Sequence, residues 1–100
     1  MIERIVLFKL KDEHATEAGR REVAEHSRRV LARLDRVVGL SVGVPADDAS
    51  EKSWDVSIVV RFRSMDDVRA YLVDPAHRRY VDEYMKPRME VVKAWNFEVG

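Results

Sequence analysis

Trp54-Asp55-Val56-Ser57-Ile58-Val59-Val60-Arg61-Phe62 alternates strictly. Trp54, Val56, Ile58, Val60 and Phe62 share one parity, and Asp55, Ser57, Val59 and Arg61 share the other. Side chains of a strand point to opposite faces in turn, so the stretch predicts a strand with one wholly apolar face that something must cover. On its N-terminal side, Asp47, Asp48 and Ser50 form a polar turn. Before that turn, Leu40 to Ala46 predicts a second strand, with Leu40, Val42 and Val44 alternating. Gly39 precedes it as a stop for a long helix over roughly Ala15 to Val38, whose stripe is Val23, Ser27, Val30, Leu31, Leu34 and Val38.

Further out lies Ile2 to Lys11, another strand. Ile2, Arg4, Val6, Phe8 and Leu10 share one parity; Glu3, Ile5, Leu7 and Lys9 share the other. Both faces are partly apolar, which predicts cover on both. On the C-terminal side, Ser64 with Asp67 caps a short helix carrying Val68, Tyr71 and Leu72. Asp74-Pro75 restarts it, Asp as N-cap and Pro at the first helical position. The second segment carries Ala76, His77, Tyr80, Val81, Tyr84 and Met85, and Pro87 closes it. Val91 to Val99 is the last strand, with Val91, Lys93, Trp95 and Phe97 on one face.

The order β-α-β-β-α-β is that of an α+β, ferredoxin-like fold: a four-stranded antiparallel sheet with its helices on one face. Ile5, Leu7, Val59, Trp95 and Phe97 would then lie on the uncovered face. A large apolar patch of that kind calls for a partner, and the simplest is a second copy packed sheet to sheet, a homodimer.

Composition bounds the rest. One hundred residues, 46% hydrophobic and 36% charged, make a single globular domain spanning 1–100. Eighteen basic and eighteen acidic side chains cancel, so no net field draws the chain to nucleic acid or to an anionic membrane. There is no cysteine, which excludes disulfides, thiolate metal sites and a cysteine nucleophile. No apolar run reaches the length of a membrane span, and MIERIVLFKL has charges and no cleavage pattern, so a cytoplasmic protein is the expectation. Three histidines without helical i, i+4 spacing make no metal site, and no glycine-rich phosphate loop is present. No cofactor is expected.

IVLFKLKDE, VVGLSVGV, WDVSIVVRF, AYLVDPAH and the C-terminal WNFEV together resemble the stress-responsive α/β-barrel (Dabb) domain family over about Ile2 to Glu98. The most specific piece is Tyr71-Leu72-Val73-Asp74-Pro75-Ala76-His77, similar to that family's Y-x-x-H-P-x-H pattern. The resemblance implies a dimeric α/β barrel. Most members have no established activity, but a plant polyketide cyclase of the family closes a ring by aldol condensation without metal or organic cofactor. Its catalytic tyrosine and histidine correspond to Tyr71 and His77. The family's first motif histidine is Asp74 here, and two further pocket histidines of the cyclase fall at Arg4 and Val56. The pair therefore marks the family better than it marks a reaction.

An aldol closure needs a base beside a carbonyl and a donor for the developing oxyanion; neutral histidine and a tyrosine hydroxyl suit these roles. His77 falls in the first turn of its helix, where the positive helix end disfavours an imidazolium. Two readings of the pair stay open: ligand-facing groups in a pocket, or a core tyrosine and a histidine that locks the helix junction. Arg4, Val6, Phe8, His26, Val56 and Ile58 are the candidate pocket-lining residues. Arg4 either orients an anionic substrate or reaches solvent from a strand end. His26 lines a pocket or lies at the surface, and Tyr80 and Tyr84 read as core or dimer contacts. The leading expectation is a protein binding a small apolar or phenolic molecule, with cyclase-like acid/base chemistry as its catalytic form. A non-catalytic stress-response or interaction dimer is the alternative, and haem or quinol oxygenation follows from fold analogy alone.

Overall fold

The computed structural model describes all 100 residues. The strands are β1 (Ile2–Leu10), β2 (Gly39–Gly43), β3 (Val56–Phe62) and β4 (Met89–Glu98). The helices are α1 (Glu17–Leu31), α2 (Asp48–Ser53), α3 (Met65–Val73) and α4 (Pro75–Arg79), the last running into a π-helical segment over Tyr80–Met85. The strands form one antiparallel sheet in the order β2-β3-β1-β4. This is the ferredoxin-like arrangement.

The opening alternation decides the layering. Val56, Ile58, Val60 and Phe62 are each at most 1% exposed, beneath the helices. Phe8 and Leu10 of β1, Val23, Ala24 and Leu31 of α1, and Val68 and Tyr71 of α3 complete the same core. Burying each large apolar side chain is worth about 1.5–3 kcal/mol, so β3 alone supplies much of what holds the helices to the sheet.

The opposite face carries cross-strand rows. Val59, Ile5 and Trp95 stand side by side, as do Arg61, Glu3 and Phe97, and Ser57, Leu7 and Lys93. Trp95 is 46% and Phe97 50% exposed, so this face ends in two open aromatic rings on the edge strand.

Several boundaries differ from the sequence expectation. α1 stops at Leu31 rather than Val38 because the chain bends through turns to Arg36, which sits at φ 75°. Leu34 and Val37 still pack on the core from those turns, while Val38 is exposed. The polar turn after β2 contains the short helix α2, capped by Asp47, whose carboxylate accepts from the Ser50 amide at 2.8 Å. β3 starts at Val56, not Trp54. The Trp54 amide closes α2 by donating to the Ser50 carbonyl, and the Asp55 amide donates to the Phe8 carbonyl. The Asp55 side chain is itself buried; it accepts from the Leu10 amide at 2.7 Å and from Arg20 Nε at 2.9 Å. Those bonds fix the end of β1 to the start of β3 and tie both to α1.

Candidate functional site

The Ser64 hydroxyl accepts from the Asp67 amide and starts α3. Asp74 ends α3 and starts α4 at once: its amide donates to the Tyr71 carbonyl, and its carboxylate accepts from the Ala76 amide at 2.8 Å. Pro75 at the first helical position has no N–H to satisfy and fixes the turn. The bend at this junction brings Tyr71 and His77 together, with ring centroids 4.3 Å apart and planes tilted by 44°. Phe62 backs Tyr71 edge-on at 4.8 Å.

The two rings line a cavity of about 230 Å³ between sheet and helices. Arg4, Val6 and Phe8 of β1, Ile58 and Val60 of β3, and Ala94 of β4 form its floor. The register explains this: Val6 lies between Ile58 and Ala94, and Arg4 between Val60 and Asn96. Arg4 is half-buried and donates to Asn96 Oδ1 at 3.1 Å. The roof is Tyr71, His77 and Tyr80, with Leu72, Arg78 and Val81 around them.

Of the residues named from sequence, Arg4, Val6, Phe8, Ile58, Tyr71 and His77 meet at this cavity. Val56 and His26 do not. Val56 has the right parity but sits at the start of β3, where it is 1% exposed in the core and borders a depression on the other side of the sheet. His26 projects from α1 away from the cavity and stacks on Tyr84 at 3.6 Å, against an outer cleft. Tyr80 and Arg78 line the cavity without having been singled out for it. The Tyr80 hydroxyl shares a 2.6 Å hydrogen bond with the buried Ser27 hydroxyl. Ser27 within an otherwise apolar helical stripe was the sequence signal that a polar partner must come from across the core.

The electrostatics favour neutral rings. Burial lowers the His77 pKa; the Leu72 backbone and Asp74 oppose this, and Arg78 and Arg4 reinforce it. Burial and the neighbouring Tyr80 raise the Tyr71 pKa against the pull of Arg4. Burial likewise pushes Tyr80 up to about 12. At neutral pH the site therefore holds an unprotonated imidazole beside protonated phenols. His77 Nδ1 is buried and has no hydrogen-bond partner; the Leu72 backbone favours the charged ring, but no bond of acceptable geometry reaches that nitrogen. No group of three or more His, Cys, Asp or Glu side chains converges anywhere in the chain.

A larger hollow of about 560 Å³ lies across the sheet, between α2 and Leu7. Its one ionisable side chain, Asp55, is already engaged by Leu10 and Arg20.

A helical layer on an antiparallel sheet, with an aromatic and histidine-lined cavity between them, defines the class as ferredoxin-like. The chain belongs to the stress-responsive A/B barrel domain (Dabb) family, whose model matches residues 2–99. A Dabb-family protein with a ferredoxin-like fold from Mesorhizobium loti superposes with a TM-score of 0.82 at 17% identity, over 99% of this chain and 97% of that one. A dimeric protein of unknown function from Bacteroides fragilis matches at 0.78 and 22% identity, over 98% and 95% of the two chains. The hydroxynitrile lyase of Passiflora edulis matches at 0.78 and 14% identity, over 99% and 93%. At these identities the likeness is one of fold. No curated protein sequence matches the chain.

Proposed function

We propose that this Dabb-family chain works as a homodimer joined through the Ile5, Leu7, Val59, Trp95 and Phe97 face, and that each subunit binds a small apolar or phenolic molecule in the Tyr71–His77 cavity. The observation that carries this reading is the meeting of the Tyr71 and His77 rings, 4.3 Å apart, on a largely apolar cavity, with the Leu72 backbone near the buried His77 Nδ1 but no bond of good geometry to it. A buried polar atom without a bond costs about 1–3 kcal/mol, and such costs gather at functional sites. A ligand hydroxyl or carbonyl in the cavity gives the ring and the Tyr71 hydroxyl something to recognise.

The same pair suits cofactor-free proton transfer of the polyketide-cyclase kind. Neutral His77 removes a proton beside a carbonyl, and the protonated Tyr71 hydroxyl donates to the oxyanion that develops. The hydroxynitrile lyase among the structural neighbours supports the idea that this fold can carry small-molecule chemistry. A cytoplasmic site of action is part of the proposal; no helix is long and apolar enough to cross a membrane.

The test is a thermal-shift screen of phenolic acids, polyketide mimics, fatty acids and haem, with His77→Ala in parallel. A ligand at a hundredfold its dissociation constant stabilises by about 2.7 kcal/mol, a shift of about 10–20 °C for a domain this size. A hit that the variant loses supports the site. No hit, together with a strongly destabilised His77→Ala, makes the histidine a lock on the helix junction. The protein is then a non-catalytic dimer whose open apolar sheet face is the functional surface.

A further inference from the structure

The charges around the cavity are one-sided. It is lined by two basic side chains, Arg4 and Arg78, and by no carboxylate. Arg78 is satisfied, since it bonds Asp82 at 2.7 Å on the outer helix surface. Arg4 is not. Its hydrogen bond to Asn96 Oδ1 goes to a neutral amide, and no Asp or Glu lies within salt-bridge distance of it, although ten ion pairs form elsewhere on the chain. A guanidinium has five N–H donors, so most of its capacity is unused. The whole chain is electrically balanced at eighteen against eighteen, so this excess is local to the site.

We propose that the cavity takes a compact carboxylate, an aromatic or short-chain acid, with Arg4 as the anion-binding residue; this rests on the cavity being a ligand site. Twelve of the fifteen lining residues are hydrophobic, which lowers the local dielectric and strengthens an Arg–carboxylate pair. The planar guanidinium matches a carboxylate in a way that lysine would not. The volume, about 230 Å³, falls below the usual range for drug-sized ligands, which points to a single ring or a short chain. Arg4, Tyr71 and His77 line the same cavity, so an acid bound to Arg4 shares it with the pair. Burial lowers the Arg4 pKa, yet arginine stays protonated in proteins.

The experiment is an NMR titration of the ¹⁵N-labelled chain with sodium benzoate and with benzamide, its neutral counterpart, at matched ionic strength. Benzoate is expected to shift the amides around Val6, Ile58, Tyr71 and His77 and to bind at least about tenfold more tightly than benzamide. Arg4→Met, which keeps the aliphatic stem, should bring the two probes to similar affinity, and Arg4→Lys should retain part of the preference. Equal binding of both probes by the native chain overturns the carboxylate assignment and leaves the cavity reading standing. Binding of neither, up to the solubility limit, overturns the cavity reading and this inference with it. If Arg4→Met fails to fold, the native chain's preference still decides the carboxylate assignment, and a preference left unchanged in Arg4→Lys but lost in Arg78→Met overturns the choice of Arg4.

Discussion

His77→Leu separates a functional histidine from a structural one. The His77 side chain is 8% exposed residue-wide, its Nδ1 has no partner, and its main neighbours are the Tyr71 ring at 4.3 Å and the Tyr80 ring at 6.4 Å. Replacing it with leucine removes a buried polar atom whose desolvation costs about 1–3 kcal/mol. It also forfeits an aromatic contact worth about 0.5–1.5 kcal/mol. The balance runs from about 0.5 kcal/mol against the variant to about 2.5 kcal/mol in its favour. If instead the ring locked the α3–α4 junction by a hydrogen bond, the same change would cost about 1–3 kcal/mol. Urea unfolding followed by far-UV circular dichroism, compared at equal m-value, reads the difference directly. A midpoint unchanged or raised agrees with a histidine kept for its ligand. A loss of more than about 1 kcal/mol refutes the reasoning, because the orphaned nitrogen would then be making a bond that stabilises the fold.

Other consequences follow from the same geometry. Because the folded His77 pKa is below its ordinary 6.5, the unfolded chain binds the proton more readily, so stability should fall as pH drops below about 6.5 and level off below the folded value. The urea midpoint measured between pH 7 and pH 5 should slope less in His77→Leu; an identical slope in both chains contradicts the shift. Asp55→Ala strands the buried Leu10 amide and leaves Arg20 with Glu51 at 3.4 Å and the Ala15 carbonyl at 3.3 Å, and should cost about 3–5 kcal/mol by chemical denaturation. A cost under about 1 kcal/mol would mean the Asp55 bonds do not anchor β1 to β3. Trp95→Lys with Phe97→Lys should convert the chain to monomers in light scattering while the far-UV spectrum is kept; an unchanged mass removes the outer sheet face as the dimer interface.

The alternation from Trp54 to Phe62 made the sheet legible, because a strand with one wholly apolar face admits few surroundings. Ile5, Leu7, Val59, Trp95 and Phe97 could likewise be assigned to one face by parity, and the register sets Ile5 directly between Val59 and Trp95. The end of α1 was not legible. Leu34 and Val37 continue the helical spacing, and only tertiary packing turns the chain at Arg36. α2 escaped notice because it buries no side chain, so it has no apolar stripe to read. In the site, parity placed Arg4, Val6, Phe8 and Ile58 on the correct face but says nothing of depth along the strand, and Val56 lies beyond the cavity for that reason. A separation of six positions from Tyr71 to His77 fixes no distance until Asp74 and Pro75 set the bend between them. Tyr80 was read as a core or dimer contact, and it is buried in the core; that its ring also roofs the cavity is set by the α3–α4 bend, which the sequence pattern does not give.

The π-helical segment over Tyr80–Met85 also limits how the gene for this chain can change in length. The Lys86 amide reaches back to the Val81 carbonyl, five residues earlier, so the turn holds one residue more than an α-helix would. The wider turn lets Tyr80 and Met85 both face inward: Tyr80 roofs the cavity, and Met85 is fully buried. Deleting a single codon between them would leave Tyr80 and Met85 four positions apart, a spacing that regular α-helix puts on one face, whereas a further inserted residue would rotate everything beyond it by about 100° relative to the sheet. Either Met85 would leave the core or Tyr80 would leave the cavity. Substitutions along the exposed positions Asp82 and Glu83 should be tolerated, as should loss of one residue between Tyr80 and Met85, while insertions there should be purged even where every side chain is conserved in kind.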